Sequence, residues 1–353
     1  MHEEQPVSQI ETTDFSLAVL NPGGHDQGQS FHGGAGEPTS TAHAPINFHA
    51  YAACVNGSFC RETQAALDTS YPVLLLLRRN LVLCLKTLKK LQAAGRKVAI
   101  SLKETGAHQI VELLSDSRNL SLFGMIVERA DGCLATTPFS TSIYRAWRPK
   151  APPETVEFIP TPYPVGDPRW DFSCSLEERT GIWLGTREFK VPTRNHLASI
   201  MILKTLVERL DTHLDLINVD GRLGRKLLQA LNFPKKHLRV TEARMPYPKY
   251  LKFLSTHRCV FQLDQSRVPG QVTGDALLCH LPCVGGNGTI DRAAYPQFCL
   301  TDQAPEAILD QLEKLMTDDS FYTEQIALGQ KNAAQSISFP IIAKRLEQFF
   351  NRL

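Results

Sequence analysis

Residues 73–102, VLLLLRRNLVLCLKTLKKLQAAGRKVAISL, decide the fold. Val73-Leu-Leu-Leu-Leu77 is an unbroken apolar run, the pattern of a strand buried on both faces. Leu81, Cys84, Leu85, Leu88 and Leu91 then recur at helical spacing, with Asn80 placed to cap the start and Gly95 to end it. Lys97-Val-Ala-Ile-Ser-Leu102 is the next strand. Strand, helix and strand within about thirty residues make a βαβ unit, whose crossover forces parallel pairing.

The same rhythm extends in both directions. Upstream, Phe15-Ser-Leu-Ala-Val-Leu20 reads as a buried strand, and residues 21–47, rich in Gly, Pro, Ser, Thr and His, as one long loop. Downstream come a helix near His108–Leu114, a strand at Gly132–Thr136 and a helix near Ser140–Trp147. Residues 148–176 hold seven prolines and are expected to be stiff and non-helical, a domain boundary. A second alternation follows. Gly181–Gly185, Leu214–Val219, Cys259–Leu263 and Pro282–Gly285 read as strands, and Leu197, Ile200, Met201, Leu203, Leu206, Val207 and Leu210 as a helical stripe. Three helical patterns close the chain, the last with Ile341, Ile342, Leu346, Phe349 and Phe350 on one face. The expected class is α/β with two Rossmann-like domains, residues 1–165 and 166–353, joined by the proline-rich hinge.

Composition agrees. With 353 residues, 42% apolar and 21% charged, the chain has the profile of a soluble protein of about two domains. No apolar run approaches the ~20 residues of a bilayer span. Glu3, Glu4, Glu11 and Asp14 are the opposite of a basic secretory leader. Nine cysteines form no C-x-x-C pair, and Cys279 and Cys283 lack a matching half-site, so free thiols in a reducing cytoplasm are expected rather than disulfides or structural zinc. The net charge of +2 hides an asymmetry: residues 221–258 carry ten Lys and Arg against Glu242 alone. Such a stretch favours anionic partners, or is simply a solvated helical face.

In parallel sheets, ligands bind beyond the carboxyl ends of strands, where helix N-termini present free N–H groups. Two segments stand there. Gly185-Thr-Arg-Glu-Phe-Lys-Val-Pro-Thr-Arg-Asn-His196 leads from a strand into a helix, and Arg187, Lys190 and Arg194 are placed to meet a diphosphate, the alternative being ordinary loop charges that pair with Glu188 and other neighbours. Leu263–Gly288 runs from a strand through Gly270 and Gly274 into a short helix; Asp275, at the start of that helix, is a candidate for ribose hydroxyls or a plain helix charge.

These residues carry a resemblance. Asp275-Ala-Leu-Leu-Cys-His-Leu-Pro-Cys-Val-Gly285 is similar to the Glu-Ala-x-Ala-x-Gly-x-Pro-Val-Val-Gly stretch of group 1-like GT-B glycosyltransferases, with Gly270 matching the glycine before that helix. Gly185-Thr-Arg187 resembles the Gly-Arg after the first strand of their C-terminal domain, and Arg194 lies near their phosphate-binding Lys. Glu157-Phe-Ile-Pro-Thr-Pro162 resembles their interdomain hinge, and Gly132–Ser140 the strand and serine-initiated helix before it. The resemblance implies two domains facing across a cleft, the last helix crossing back to the first, and a sugar passed from a nucleoside-diphosphate donor to an acceptor held by the N-terminal domain. It implies no metal or other cofactor, since a D-x-D motif belongs to the GT-A fold.

There are departures. Retaining members carry two glutamates; here the second is Asp275 and the first falls on Arg267, which leaves a phosphate or sugar-acid contact, an inverting enzyme or an inactive one as readings. The first-domain candidates for acid–base work are Glu104 and His108, in Lys103-Glu-Thr-Gly-Ala-His-Gln109 after a strand, with His25, Asp26 and His32 behind them. The alternative to a transferase is a non-catalytic nucleotide-sugar or glycan binder on the same scaffold. A nucleic-acid partner is not expected, because few aromatics interleave with the basic stretch. That stretch is read instead as a contact of a cytoplasmic protein with anionic membrane. A dinucleotide-dependent dehydrogenase lacks its G-x-G-x-x-G.

Overall fold

A computed structural model of the chain describes residues 14–39, 41–243, 245–299 and 304–353. Glu3, Glu4 and Glu11 of the acidic lead, and Arg244 of the basic stretch, lie outside the described residues. The first sheet contains β1 (Ala18–Leu20), β2 (Gln29–Ser30), β3 (Ser58–Cys60), β4 (Val73–Leu77), β5 (Val98–Leu102), β6 (Gly132–Ala135) and β7 (Val156–Phe158) in the order β2-β3-β1-β4-β5-β6-β7. All pairs are parallel except β2 with β3. Its helices are α1 (Asn47–Ala53), α2 (Thr63–Leu67), α3 (Leu81–Ala93), α4 (Ala107–Leu114), α5 (Ser117–Arg129) and α6 (Pro138–Trp147).

The second sheet has β8 (Ile182–Leu184), β9 (Leu214–Ile217), β10 (Leu238–Thr241), β11 (Cys259–Phe261) and β12 (Cys283–Val284) in the order β10-β9-β8-β11-β12, all parallel. With it come α7 (His196–Arg209), α8 (Arg222–Ala230), α9 (Tyr247–Leu254), α10 (Gln271–Leu278), α11 (Thr289–Ala294), α12 (Pro305–Thr317), α13 (Asp319–Ser336) and α14 (Phe339–Arg352).

The deciding segment folds as read. Every residue of β4 and β5 is buried, and α3 buries Leu81, Cys84, Leu85, Leu88 and Leu91. The Asn80 side-chain oxygen accepts the Leu83 N–H at 3.0 Å. Strand periodicity sorts β4 between two layers: Val73, Leu75 and Leu77 meet α3 and α5, while Leu74 and Leu76 meet α1 and α14. All nine cysteines are free thiols.

Three expectations change. The proline-rich stretch contains β7; its prolines bracket the strand rather than interrupt it, and as an edge strand β7 bonds β6 alone. The long first loop holds the two-residue strand β2, paired antiparallel with β3. The basic stretch is α8, β10 and α9, short elements whose apolar positions are too few to show a period.

The chain ends on the first sheet. Ile342, Leu346, Phe349 and Phe350 of α14 are buried against Leu17, Val19, Leu74, Leu76, Ala99 and Leu134. Outgoing and returning segments run side by side, with the Tyr163 N–H donating to the Ile337 carbonyl at 2.9 Å and Tyr163 bridged in parallel to Ser338. Phe349→Ala is therefore expected to cost about 3–5 kcal/mol in urea unfolding. A loss below about 1 kcal/mol would show that α14 is not part of the first-domain core.

Candidate active site

Parallel pairing brings the carboxyl ends of both sheets to a shared cleft of about 940 Å³. From the first sheet, the turn after β5 contributes Lys103, Glu104 and Thr105. From the second come Gly185, Thr186 and Arg187 after β8, Asn218 after β9, Gln262 and Asp264 after β11, and the start of α10. Two glycines have steric causes. A Cβ on Gly185 would stand 2.3 Å from Val272 Cγ1, so its absence lets α10 pack onto the end of β8. Gly270 turns the chain into α10 at φ +98°, where a Cβ would meet Asp291 Oδ2 at 2.7 Å. The α10 N-terminus has no side-chain cap, so its first-turn N–H groups have no intrahelical partner.

The cleft gathers Glu104, Gly185, Arg187, Arg194, Gly270 and Asp275 from the sequence candidates, and not the other three. Lys190 is exposed and leans to Asp220 at 3.7 Å, because its loop turns outward before α7. Arg267 sits on a left-handed turn, φ +54°, that aims its guanidinium across the domain gap at the Phe139 ring, 5.8 Å from the centroid. His108 lies inside α4 with a buried, unpartnered Nδ1 and does not line the cleft. Near it the Ala107 N–H donates to the Ser266 carbonyl of the second domain at 3.0 Å.

Charge in the cleft is not what a simple phosphate site would show. Lys103, Arg187 and Arg194 face Glu104, Glu188, Glu242, Asp264, Asp275 and Asp291, so acids outnumber bases. Arg194 is held by Asp264 in a short ion pair and by Glu188 at 3.8 Å. Glu104 pairs with Arg78 at 3.7 Å. Arg187, more than half exposed, pairs with Glu188 at 3.7 Å and, of the three, is the cation most available to a ligand.

Sequence reading missed Asp264 and Asp291. Asp264 comes shortly after β11, at the carboxyl end of a parallel strand, so its position alone marks it as a candidate; Asp291, in the first turn of α11, carries no such signal. Asp291 Oδ1 accepts from Gln262 Nε2 at 2.9 Å and from the Thr273 hydroxyl at 2.7 Å. Burial pushes its carboxyl above the ordinary range; the Thr273 hydroxyl opposes the rise and the charge of Asp264 adds to it.

Asp275 corrects a placement. It is the fifth residue of α10, not the first, and is buried. Its Oδ1 accepts the hydroxyls of Tyr247 at 2.5 Å and Tyr163 at 3.2 Å. Burial lifts its pKa from 3.8 to about 7, against the pull of both phenols and of Arg187. The unfolded chain loses this proton near pH 4 while the folded chain keeps it, so the stability it contributes is present below pH 4 and lost as pH rises toward 7. The Asp275→Asn variant should flatten that part of the stability–pH curve, by up to about 4 kcal/mol relative to the parent, in urea unfolding at pH 4 to 8. Parallel curves for parent and variant would refute the raised value.

No protein-family model and no curated protein matches this sequence. Solved structures do. An α-glucosyltransferase in complex with UDP and a 13-mer DNA containing an HMU base is similar at TM-score 0.62 and 11% identity, over 96% of this chain and 100% of that one. A UDP-forming α,α-trehalose-phosphate synthase from Burkholderia xenovorans is similar at TM-score 0.59 and 8% identity, over 96% and 99%. S. aureus TarM, in complex with UDP and α-GlcNAc-glycerol, is similar at 0.58 and 10%, over 79% of this chain but 55% of that one. The chain therefore has the GT-B fold of these glycosyltransferases, two Rossmann-like domains facing across a cleft.

Proposed function

We propose that the chain is a glycosyltransferase that passes a sugar from a nucleoside-diphosphate donor to an acceptor. The donor would lie on the second-domain wall (residues 166–353) and the acceptor on the first (residues 1–165). The observation that carries this is that Arg187 and the uncapped start of α10 behind Gly270 line the same cleft. A diphosphate leaving group needs charge stabilisation fixed in advance, and a guanidinium beside free helix N–H groups supplies it. Arg194, already neutralised by Asp264, serves better to hold that loop than to bind phosphate. Two of the similar structures are complexes with UDP and a third is a UDP-forming synthase, which makes UDP-sugars the first donors to test.

Glu104 is the first-domain carboxylate we assign to the acceptor side, since it reaches the cleft and His108 does not. A carboxylate within reach of an acceptor hydroxyl serves as general base. The acceptor class stays open to nucleic acid, because one similar structure holds DNA beside UDP. No described helix is long and apolar enough to cross a membrane. The exposed Arg222, Lys226, Lys235 and Arg239 support a peripheral contact with anionic membrane in a cytoplasmic protein.

In a thermal-unfolding screen against UDP, GDP, ADP, CMP and their sugar conjugates, UDP at a hundred times its Kd should add about 2.7 kcal/mol. Arg187→Ala should lose about 1.5–3 kcal/mol of that binding, the worth of a charge-assisted contact. No shift with any nucleotide would overturn the reading. Once an acceptor is found among lipid, glycan and DNA candidates, Glu104→Gln should lower kcat roughly 10²–10⁴-fold with UDP affinity unchanged. An unchanged kcat would remove Glu104 from the chemistry.

A further inference from the structure

At the amino ends of its strands, on the side away from the cleft, the second sheet brings three more groups together. His213 immediately precedes β9, Asp215 is its second residue, and His257 lies between α9 and β11. Asp215 Oδ2 stands 3.2 Å from His213 Nε2 and 3.1 Å from His257 Nε2, and the three atoms lie within 4.8 Å of one another. Asp215 and His257 are buried, while His213 is partly open.

The rings are oriented by the contacts their other atoms make. His257 Nδ1 is 3.1 Å from the carbonyl oxygens of Phe253 and Leu254, which only accept, so Nδ1 carries the hydrogen. Its Nε2 is thereby aimed at Asp215 Oδ2, 3.1 Å away. His213 Nε2 faces Asp215 Oδ2 on one side and Arg239 Nη1, at 3.0 Å, on the other. Two imidazole nitrogens and a carboxylate oxygen thus converge on one point, the ligand set a single divalent ion takes.

The geometry suits one. Two ligands on a tetrahedral ion with bonds of ~2.0 Å are about 3.3 Å apart, close to the two histidine–carboxylate separations here. A histidine whose far N–H is tied to a backbone carbonyl is the outer-shell arrangement of metal-bound imidazoles. Gly181, at φ +73°, leaves room for the His213 ring: a Cβ there would be 2.4 Å from Nε2. Trp183, 5.3 Å away centroid to centroid, fixes the His257 ring.

We propose that His213, Asp215 and His257 bind one zinc-class divalent ion, with a fourth position open to solvent beside His213. Two imidazoles and one carboxylate are ligands that zinc accepts readily. Arg239, whose side chain is largely exposed, stands 3.9 Å from Asp215 Oδ2 and 3.0 Å from His213 Nε2, and it swings outward on binding. The ion ties the start of β9 to the connection between α9 and β11. Because it sits at the opposite strand ends from the cleft, it braces the second domain and takes no part in the transfer chemistry.

The test is a Co²⁺ titration of untagged, chelator-stripped protein followed by visible absorption, with Zn²⁺ displacement and metal content per chain. One equivalent with the intense bands of a tetrahedral site is expected. His213→Gln and Asp215→Asn should abolish it, and His32→Gln, an exposed histidine of the first domain, should leave it unchanged. Circular dichroism checks that each variant folds. Arg239→Gln, a surface change that leaves all three ligands in place, should tighten Co²⁺ binding about tenfold by removing a neighbouring positive charge. Absence of a stoichiometric band, a band that survives both ligand variants, or an Arg239→Gln protein that binds no more tightly would overturn the proposal.

Discussion

Parallel strands cannot be joined by tight turns, and this constraint organises the whole molecule. Every crossover must carry the chain back along the sheet, so every parallel strand of a sheet ends at the same edge and the helix that follows it begins there. The parallel pairings join runs of two to five residues, too short to be stable except as parts of a covered sheet. Covering the first sheet needs one more helix than its own crossovers supply. That helix is α14, contributed after the chain has built the second domain, and it leaves the domains connected by two adjacent segments at Tyr163 and Ser338. Two such connections restrict how the facing edges separate more than one would.

The facing edges carry more acid than a site for anions would need. Part of the excess is neutralised locally: Asp264 by Arg194, Glu104 by Arg78 and, nearby, Asp26 by Lys103 at 3.2 Å. Another part is suppressed by burial, which holds Asp275 and Asp291 toward their protonated forms. The proposed diphosphate donor would therefore meet Arg187 and backbone N–H groups rather than a general positive field, so its affinity would depend on geometry more than on net charge. Carboxyl groups that remain are suited to hydroxyl-rich ligands, since a carboxylate accepts from two hydroxyls and a protonated carboxyl also donates.

The fold is legible in the sequence because its signals are local and repeated. Continuous apolar runs such as Val73–Leu77 admit no exposed face, and the Leu81–Leu91 stripe fits one helical side. Residues 47–67 and 221–258 are less readable: α1, α2, α8 and α9 have five to nine residues each, below the length at which periodicity separates from chance. The cleft is half legible. Position after a strand finds Gly185, Arg187 and Glu104, yet the same rule admits Lys190 and Arg267, because a strand's end does not say which way the next turn rotates. Asp275 is picked out for a role at a helix start and occurs inside the helix, bonded to two tyrosines 28 and 112 positions away in the chain.

That tyrosine pair shows how the two ends of the second domain share one set of elements. Tyr247 opens α9 and reaches Asp275 at the cleft; His257, just beyond the end of the same helix, reaches Asp215 at the opposite edge. Whatever fixes α9 at one end constrains the other, since an α-helix of eight residues is a stiff rod about 12 Å long. Tyr163 joins the same carboxylate from the interdomain hinge, so α9, α10 and the hinge meet at one buried acid. An ion clamped at His213, Asp215 and His257 would then steady the phenol that Tyr247 offers Asp275 without touching the donor. Such coupling would run through α9 and the short turn from its end to His257.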